Sequence, residues 1–187
     1  MPKRFIPSVT RIISDLGLID LSGIPLEALE PARELGIRLH DIVSRIARGQ
    51  KIDLEQFEGP LRDRAERFLD WMERMKAKPL AVEQRLYAKG DFPFTGQPDL
   101  IAEIAGLRYL VDIKPTFRKW HKLQLAGYAA LLQLNKQPVY RQMILPLDSS
   151  KRPMAVSCGE PQDGSEWDRC VKSWYWRYRN GLLKVEK

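Results

Sequence analysis

The chain has 187 residues, of which 44% are hydrophobic and 29% charged, proportions typical of a soluble globular domain. We therefore expect one domain over residues 1–187, long enough to bury a sizeable core. The formal net charge of +7 favours a polyanionic partner such as nucleic acid. No apolar run approaches a membrane span, and the opening MPKRFIPSVTR lacks the apolar region of a signal peptide. The sequence thus argues against a membrane protein and predicts a cytoplasmic one.

Two helices are predicted before residue 50. Ser8 suits the N-cap of a short helix that begins at Val9. Pro31 is predicted to begin a longer helix that runs to about Arg48, because proline is tolerated at the start of a helix. Apolar residues recur in this second helix at helical spacing and predict a core stripe formed by Leu35, Leu39, Ile42 and Ile46.

His40 lies at the margin of that stripe, one turn after Gly36. A glycine at this position would let another backbone approach closely. A lone histidine beside an apolar stripe is more often a satisfied core residue, so both a structural and a functional interpretation of His40 stay open.

The segment 53–78 is predicted to be helical, with an interruption near Gly59-Pro60, and residues 80–87 are predicted to form a strand. The predicted buried stripe of the helix consists of Leu61, Ala65, Phe68, Leu69 and Met72. Trp71 is interpreted as a packed aromatic residue. Glu83 lies within the predicted strand, where it either pairs with Arg85 or another surface cation or belongs to a functional site.

The stretch 94–114, FTGQPDLIAEIAGLRYLVDIK, alternates as two strands around a short turn at Ala105-Gly106. The turn sets the register of this hairpin and places Asp99 directly opposite Asp112. Side chains alternate between the two faces of a strand, and one face is predicted to be core, formed by Pro98, Leu100, Ala102, Ile104, Leu107, Tyr109, Val111 and Ile113. The other face carries the two carboxylates and Lys114.

Two carboxylates in opposed positions repel each other. At a separation of about 5 Å, the repulsion between two ionised groups is roughly 3 kcal/mol at an effective dielectric constant near 20. Lys114 offers one positive charge on the same face, and a hard cation such as Mg²⁺ would supply the rest. A solvated strand end with an ordinary salt bridge would account for the same residues.

A further helix is predicted over residues 117–135, with an apolar stripe formed by Leu123, Ala126, Ala130, Leu131 and Leu134. Gln124 and Tyr128 are four residues apart and therefore share one helical face. Tyr128 considered alone would be a packed core aromatic. His121, one turn earlier, is predicted to lie at the surface.

Residues 140–147 and 154–157 are predicted strands, joined by a turn around residues 148–151. A last helix is predicted from Asp163 to Asn180-Gly181, with an apolar series of Trp167, Val171, Trp174, Tyr178 and Leu182. Its basic outer face is either a DNA groove or a charged solvent face. Together these elements predict an α/β fold in which a central mixed β-sheet, built on the Glu83 strand and the hairpin, is flanked by the His40 and Gln124 helices.

The ordered motifs of this chain resemble those of the PD-(D/E)XK nuclease superfamily, and in particular its RecB-like exonuclease branch. They are Gly36-x-x-x-His40, Gly96-x-x-Asp99, Asp112-Ile113-Lys114 and Gln124-x-x-x-Tyr128, and Ser8-Val9-Thr10 is similar to the S-V-T opening of that family. The resemblance implies a restriction-endonuclease-like core. It also implies Mg²⁺- or Mn²⁺-dependent hydrolysis of DNA by an exonuclease, in recombination, repair or phage DNA processing, within a bacterial or phage-infected cell.

The same resemblance implies a role for each matching residue. The implied metal ligands are Asp99, Asp112, His40, the Ile113 carbonyl and Glu83. Lys114 would orient or deprotonate the attacking water and stabilise the negative transition state. Gln124 and Tyr128 would position the phosphate.

Some RecB-like exonucleases carry an iron–sulfur cluster on four cysteines. Cys158 and Cys170 are the only cysteines of this chain, so no iron–sulfur cluster is expected. The resemblance also allows a homo-oligomer or a recombination or repair partner protein. Two other classes of protein stay open: a catalytically inactive nucleic-acid-binding module on a nuclease fold, and a structural or partner-binding protein with an incidental acidic pair.

Overall fold

The computed structural model describes residues 5–19, 25–147, 156–159 and 164–183. Its strands are β1 (Lys78–Val82), β2 (Leu86–Tyr87), β3 (Thr95–Gly96), β4 (Leu100–Ile104), β5 (Leu107–Lys114), β6 (Arg141–Pro146) and β7 (Val156–Gly159). Its helices are α1 (Val9–Asp15), α2 (Leu26–Ala47), α3 (Gly59–Met75), α4 (His121–Leu134) and α5 (Ser165–Arg179), with a turn of 3-10 helix at Leu54–Gln56. Within the described ranges, no helix has the length and apolar character needed to cross a membrane.

A mixed sheet lies at the centre of the fold, with the strand order β1-β4-β5-β6-β7. The β5–β6 pair is parallel, and the other pairs in this sheet are antiparallel. The parallel pair is joined by a crossover that contains α4, which is the usual way to connect parallel neighbours. Strands β2 and β3 form a separate antiparallel pair. The predicted α/β class with a central mixed sheet is confirmed.

Helical layers cover both faces of this sheet. Core residues of α2 and α3 pack on one face with Leu100, Val111 and Ile113. Core residues of α1, α4 and α5 pack on the other face with Ile101 and Leu110. The hairpin face that also carries the carboxylates is therefore apolar along much of its length.

The hairpin register is the predicted one. Five residue pairs join β4 to β5, from Leu100 opposite Val111 to Ile104 opposite Leu107. The turn at Ala105-Gly106 has positive φ at both residues, as a two-residue hairpin turn of type I′ requires. The next positions in this register, at the open end of the hairpin, are Asp99 and Asp112.

The prediction that α2 begins at Pro31 is wrong, because the helix begins five residues earlier, at Leu26. Residues 27–30, Glu-Ala-Leu-Glu, are strong helix formers and extend the helix through the proline. Pro31 has no N–H to donate to the Glu27 carbonyl, so this extension forgoes one helical hydrogen bond. In α3 the predicted stripe is also partly wrong, since Leu69 is exposed and Trp71 takes its place in the core.

Glu83 does not lie in a strand, contrary to the prediction. Strand β1 ends at Val82, and Glu83 has φ +50°, in the left-handed region. The Glu83 N–H donates to the Asp99 carbonyl at 3.0 Å, which continues the pairing of β1 with β4 by one residue, and the chain changes direction at the positive φ of Glu83. The predicted strand over 80–87 is therefore two short strands with a turn between them.

The predicted beginning and apolar stripe of α4 also need correction. The helix begins at His121, after a turn formed by residues 115–120, and Leu134 is 61% exposed. The buried residues instead are His121, Gln124, Leu125, Gly127, Tyr128, Ala129, Leu131 and Leu132. The helix is covered by the sheet on one side and by α1 and α5 on another, so its buried surface is wider than one stripe and includes polar residues.

In α5, Trp167, Val171 and Trp174 are buried as predicted, whereas Leu182 beyond the helix is exposed. The predicted helix start at Asp163 lies outside the described residues. The same holds for the predicted turn at 148–151 and for the first two residues of the strand predicted over 154–157.

Candidate active site

The register of the hairpin brings Asp99 and Asp112 together. Asp99 immediately precedes β4, and Asp112 lies within β5 and is 1% exposed. Oδ2 of Asp99 accepts a hydrogen bond from the Ile113 N–H at 2.7 Å, so the first carboxylate is fixed to the strand that carries the second. A pair of carboxylates, one fully buried and the other largely buried, thus lies at the end of the hairpin.

Lys114 joins this pair from the same strand. Its Nζ donates a hydrogen bond to Oδ1 of Asp112 at 2.9 Å, and the side chain is itself largely buried. Burial opposes the charged form of the lysine, but the attraction of Asp112 and Asp99 is stronger, and the pKa of Lys114 is raised. The ammonium group is therefore fully charged at neutral pH.

Burial has the opposite effect on the carboxylates. It raises the pKa of Asp112 to about 7, with the charge of Asp99 adding to the shift and that of Lys114 opposing it. The pKa of Asp99 is raised for the same principal reason. The two groups thus hold protons more readily than ordinary carboxylates, because one lysine does not compensate two buried negative charges.

His40 extends from α2 toward the carboxylates. Its Nδ1 lies 3.4 Å from Oδ1 of Asp99. Burial lowers the pKa of His40, and the positive charge of Lys114 lowers it further. A neutral imidazole beside a carboxylate is the form that can bind a metal ion. The ring points to Asp99 and is not enclosed by the apolar stripe of its own helix.

Glu83 lies at the edge of this group, and its carboxylate pairs with Arg48 at 3.1 Å. The guanidinium also donates to Oγ of Ser44 at 3.1 Å. The partner is thus a cation of α2 and not Arg85. An open groove of about 570 Å³ runs along α2 and is lined by Arg33, Gly36, Ile37, His40, Asp41, Ser44, Arg48 and Glu83.

Gln124 and Tyr128 approach from the other helical layer. Both side chains are buried on one face of α4, and Nε2 of Gln124 donates to the Tyr128 hydroxyl at 3.1 Å. Burial raises the pKa of Tyr128 to about 12, and the charges of Asp112 and Asp99 add to this shift. The tyrosine therefore lies within the field of the carboxylates and keeps its proton at neutral pH.

Thr10 is a member of this group that the sequence analysis did not assign to the site. Its Oγ1 accepts a hydrogen bond from Nε2 of Gln124 at 3.1 Å. The available signal was the Ser8-Val9-Thr10 motif, in which only Ser8 was interpreted. Ser8 does cap α1, because its Oγ accepts the N–H of Arg11 at 3.1 Å.

The prediction that His121 lies at the surface is wrong, because this residue is 4% exposed. Its Nδ1 accepts the N–H of Arg118 at 3.0 Å, and the Trp120 ring lies 4.2 Å from it between centroids. Burial lowers the pKa of His121 to about 3, helped by the charges of Lys114 and Arg118. The signal that was missed is its spacing, since His121, Gln124 and Tyr128 recur at intervals of three and four residues.

The residues of this site fit a divalent cation by their chemistry. Among the described residues, Oδ2 of Asp112 is buried without a hydrogen-bond partner, so one carboxylate oxygen is available to a cation. In the part of the chain that the structure describes, no three His, Cys, Asp or Glu side chains already surround a common point.

A mixed sheet between two helical layers, with buried carboxylates and a lysine at the end of its central hairpin, defines a restriction-endonuclease-like fold. The family model of the PD-(D/E)XK nuclease superfamily matches residues 15–185 of the chain. The protein belongs to this superfamily, which confirms the prediction at that level. The RecB-like branch stays a prediction.

Two solved structures are similar to the chain. A candidate exonuclease from Eubacterium rectale aligns over 92% of this chain and 74% of its own length, with a TM-score of 0.53 and 14% sequence identity. The protein SSO0001 aligns over 60% of this chain, with a TM-score of 0.43 and 15% identity, and the chain spans 56% of its length. Among curated proteins, none matches the chain significantly.

Proposed function

We propose that this protein is a Mg²⁺- or Mn²⁺-dependent deoxyribonuclease that hydrolyses phosphodiester bonds, and that it acts as an exonuclease of the RecB-like type. The observation that carries the proposal is the buried Asp99–Asp112 pair beside Lys114, with an unpartnered oxygen on Asp112. Such an arrangement is electrostatically unfavourable without a further cation. In a PD-(D/E)XK nuclease, a divalent cation at this position would serve catalysis.

The residues that would hold the ion are Asp99, Asp112, His40 and the Ile113 carbonyl, with Glu83 as a further candidate. When bound, a divalent ion supplies an activated water and neutralises negative charge that develops on the phosphate. Asp99 is held by the Ile113 N–H, so its free oxygen has a fixed position. A neutral His40 adds a ligand without adding charge.

Lys114 acts in this proposal as a cation and hydrogen-bond donor. Its raised pKa favours orienting the attacking water and stabilising the transition state over taking a proton from the water. Tyr128 keeps its proton at neutral pH and is able to donate a hydrogen bond to a phosphate oxygen. Gln124 donates its amide hydrogens to Thr10 and to the Tyr128 hydroxyl, and would thereby hold the tyrosine in position. Together the two side chains would position the phosphate between the two helical layers.

We further propose that the substrate is DNA and that the protein works in recombination, repair or phage DNA processing in the cytoplasm of a bacterial or phage-infected cell. A homo-oligomer or a recombination or repair partner protein is compatible with this role. The proposed centre contains no iron–sulfur cluster, because the chain has two cysteines and such clusters use four.

The test is incubation of linear and circular DNA with Mg²⁺, Mn²⁺ or EDTA. We expect linear DNA to be degraded with either metal and circular DNA to survive. Asp112→Asn should be inactive. Glu103→Gln is the matched control, since Glu103 lies on the same hairpin and pairs with Lys78 at 3.6 Å. Cleavage of circular DNA would show that the protein is an endonuclease and not an exonuclease. DNA binding without cleavage under any condition would indicate an inactive binding module.

A further inference from the structure

A basic turn lies between β5, the strand that carries Asp112 and Lys114, and α4, and it includes the first two residues of that helix. We define it as residues 117–122, with the sequence FRKWHK, which begins three residues after Lys114. Arg118, Lys119 and Lys122 are exposed, and the turn contains no acidic residue. Nothing in the proposed chemistry uses these three cations.

The turn is folded around the buried His121. Arg118 donates its backbone N–H to Nδ1 of His121, and Trp120 and Phe117 place their rings 4.2 and 6.4 Å from the imidazole. The aromatic side chains are thereby drawn inward, and the cations are left on the outside. The contacts of His121 with Arg118, Trp120 and Phe117 thus hold the turn in a conformation that exposes its three cations.

Within the part of the chain that the structure describes, no acidic side chain neutralises the charges of this surface. Among the described residues, the side chains of Arg118, Lys119 and Lys122 have no carboxylate partner. Cations elsewhere in the described chain commonly have one, as do Arg11, Arg33, Arg45, Arg48, Arg62, Arg74 and Lys172. Three unpaired positive charges in one turn favour an anionic ligand.

We infer that the basic turn binds the phosphodiester backbone of a nucleic-acid strand next to the scissile phosphate, and that it does so without reading the sequence. This inference rests on the proposed function. An extended chain advances at most about 3.6 Å per residue, so Phe117 lies within about 11 Å of Lys114. Successive phosphates of one B-DNA strand advance about 3.4 Å along the helix axis, so the phosphates nearest the beginning of the turn are at most about three nucleotides from the cleaved one.

The basic face of α5 is the competing surface, and its contacts make it a weaker candidate. Lys172 pairs with Asp168 at 2.6 Å, and Arg179 lies over the rings of Phe92 and Tyr175. Two cations of this face thus already have partners, whereas among the described residues none of the three cations of the basic turn has a carboxylate partner.

The test compares two triple variants that remove the same charge. The first carries Arg118→Gln, Lys119→Gln and Lys122→Gln. The control carries Lys136→Gln, Arg169→Gln and Lys172→Gln, at the opposite end of α4 and on α5. Binding of labelled single-stranded and duplex DNA in EDTA is measured by fluorescence anisotropy between about 50 and 200 mM salt, with two unrelated sequences.

We expect the turn variant to reduce the slope of log affinity against log salt by about 2 to 3, because each lost phosphate contact contributes roughly 0.7 to 0.9. The loss should be equal for both sequences, and the control should keep the wild-type slope. With Mn²⁺, the turn variant should raise KM and leave kcat unchanged, since its contacts are the same in the ground state and the transition state.

An unchanged slope in a turn variant that melts like the wild type would overturn the inference, and so would equal losses in both triple variants. Lys119→Gln alone, which removes one exposed charge, should reduce the slope by slightly less than 1 and tests the same contact if the triple variant does not fold. Wild-type cleavage reports on the proposed function separately. If the wild type cleaves DNA and the turn variant keeps its slope, only this inference fails.

Discussion

Three charged side chains at the end of the β4–β5 hairpin share a space from which water is almost excluded. Lys114 contacts Asp112 directly, and Asp99 is fixed to the Ile113 N–H. One positive charge therefore faces two carboxylates, and burial raises the pKa of both aspartates despite the opposing charge of Lys114. The protein retains this electrostatic cost in its metal-free form, and single substitutions should reveal it.

Asp99→Asn should abolish cleavage and at the same time stabilise the metal-free protein. The amide oxygen of asparagine can still accept the Ile113 N–H, while the negative charge beside Asp112 is gone. We expect activity below about a hundredth of the wild-type rate. The free energy of unfolding in EDTA should rise by about 1 kcal/mol, the equivalent of one pKa unit. Denaturant titration measures this change in the free energy of unfolding. Cleavage by Asp99→Asn at a tenth of the wild-type rate or faster would contradict the proposed role of Asp99.

Lys114→Met should lose activity but keep its affinity for Mn²⁺. The methionine preserves an unbranched apolar side chain, and the lost ammonium group acts on the transition state in our proposal and not on the metal. Isothermal titration calorimetry with Mn²⁺ separates these effects. A large loss of Mn²⁺ affinity would show that Lys114 serves the metal site itself.

His121 should make the protein sensitive to acid. Its folded pKa of about 3 lies below the ordinary value of 6.5, so the unfolded chain binds more protons between these limits. The stability that His121 contributes is thus fully present above pH 6.5 and is lost progressively as the pH falls toward 3. The difference in unfolding free energy between the wild type and His121→Gln should shrink over this range. A difference in unfolding free energy that stays constant from pH 7 to pH 4 would contradict the lowered pKa of His121.

At the scale of the elements, the hairpin could be predicted residue by residue, whereas the helix boundaries could not. A two-residue turn and the alternation of side chains leave one register for β4 and β5. For α2 the local signal was present, since residues 27–30 are strong helix formers, but the proline signal was given more weight. The beginning of α4 depends instead on the competing turn at 115–120, which helix propensity alone does not predict.

Two helical glycines offer a matched test of packing. A Cβ at Gly36 in α2 would meet nothing within 4 Å among the described residues. The close approach of another backbone, which the sequence analysis expected at this glycine, is therefore not observed. Gly36→Ala should therefore raise the free energy of unfolding by about 0.5 to 1 kcal/mol, since alanine favours the helix. A Cβ at Gly127 in α4 would lie 2.8 Å from Cγ1 of Val9 and 3.1 Å from Cε2 of Trp167. Gly127→Ala should accordingly destabilise the protein, and changes of the same sign in both variants would refute this account.

At the scale of the whole molecule, the candidate site is assembled from both helical layers and the sheet between them. His40 comes from α2 on one face, Gln124 and Tyr128 come from α4 on the other, and the hairpin supplies the charges. The motif spacing selected these residues as candidates, and the structure places them near one another. The spacing could not supply the distances between them, the Arg48–Glu83 pair or the contact of Thr10 with Gln124, because these depend on how the layers pack.

This assembly predicts a pH-dependent stabilisation by metal. The folded, metal-free protein keeps a proton near Asp112 up to a pH of about 7, whereas an unfolded aspartate releases it near 3.8. The folded state therefore binds more protons between these limits, and the contribution of Asp112 to stability falls as the pH rises from about 4 to 7. A divalent ion requires the ionised carboxylate and displaces that proton.

The rise in melting temperature caused by Mn²⁺ should consequently increase from pH 5.5 to 7.5 and level off above it. With Mn²⁺ at about a hundred times its Kd, the stabilisation at the upper pH should reach about 2.7 kcal/mol. Differential scanning fluorimetry with and without Mn²⁺, in parallel with EDTA, measures the rise at each pH. Asp112→Asn should show no rise at any pH, while Glu103→Gln on the same hairpin should follow the wild type. An equal rise at pH 5.5 and 7.5, or a rise in Asp112→Asn, would place the ion away from the carboxylate pair.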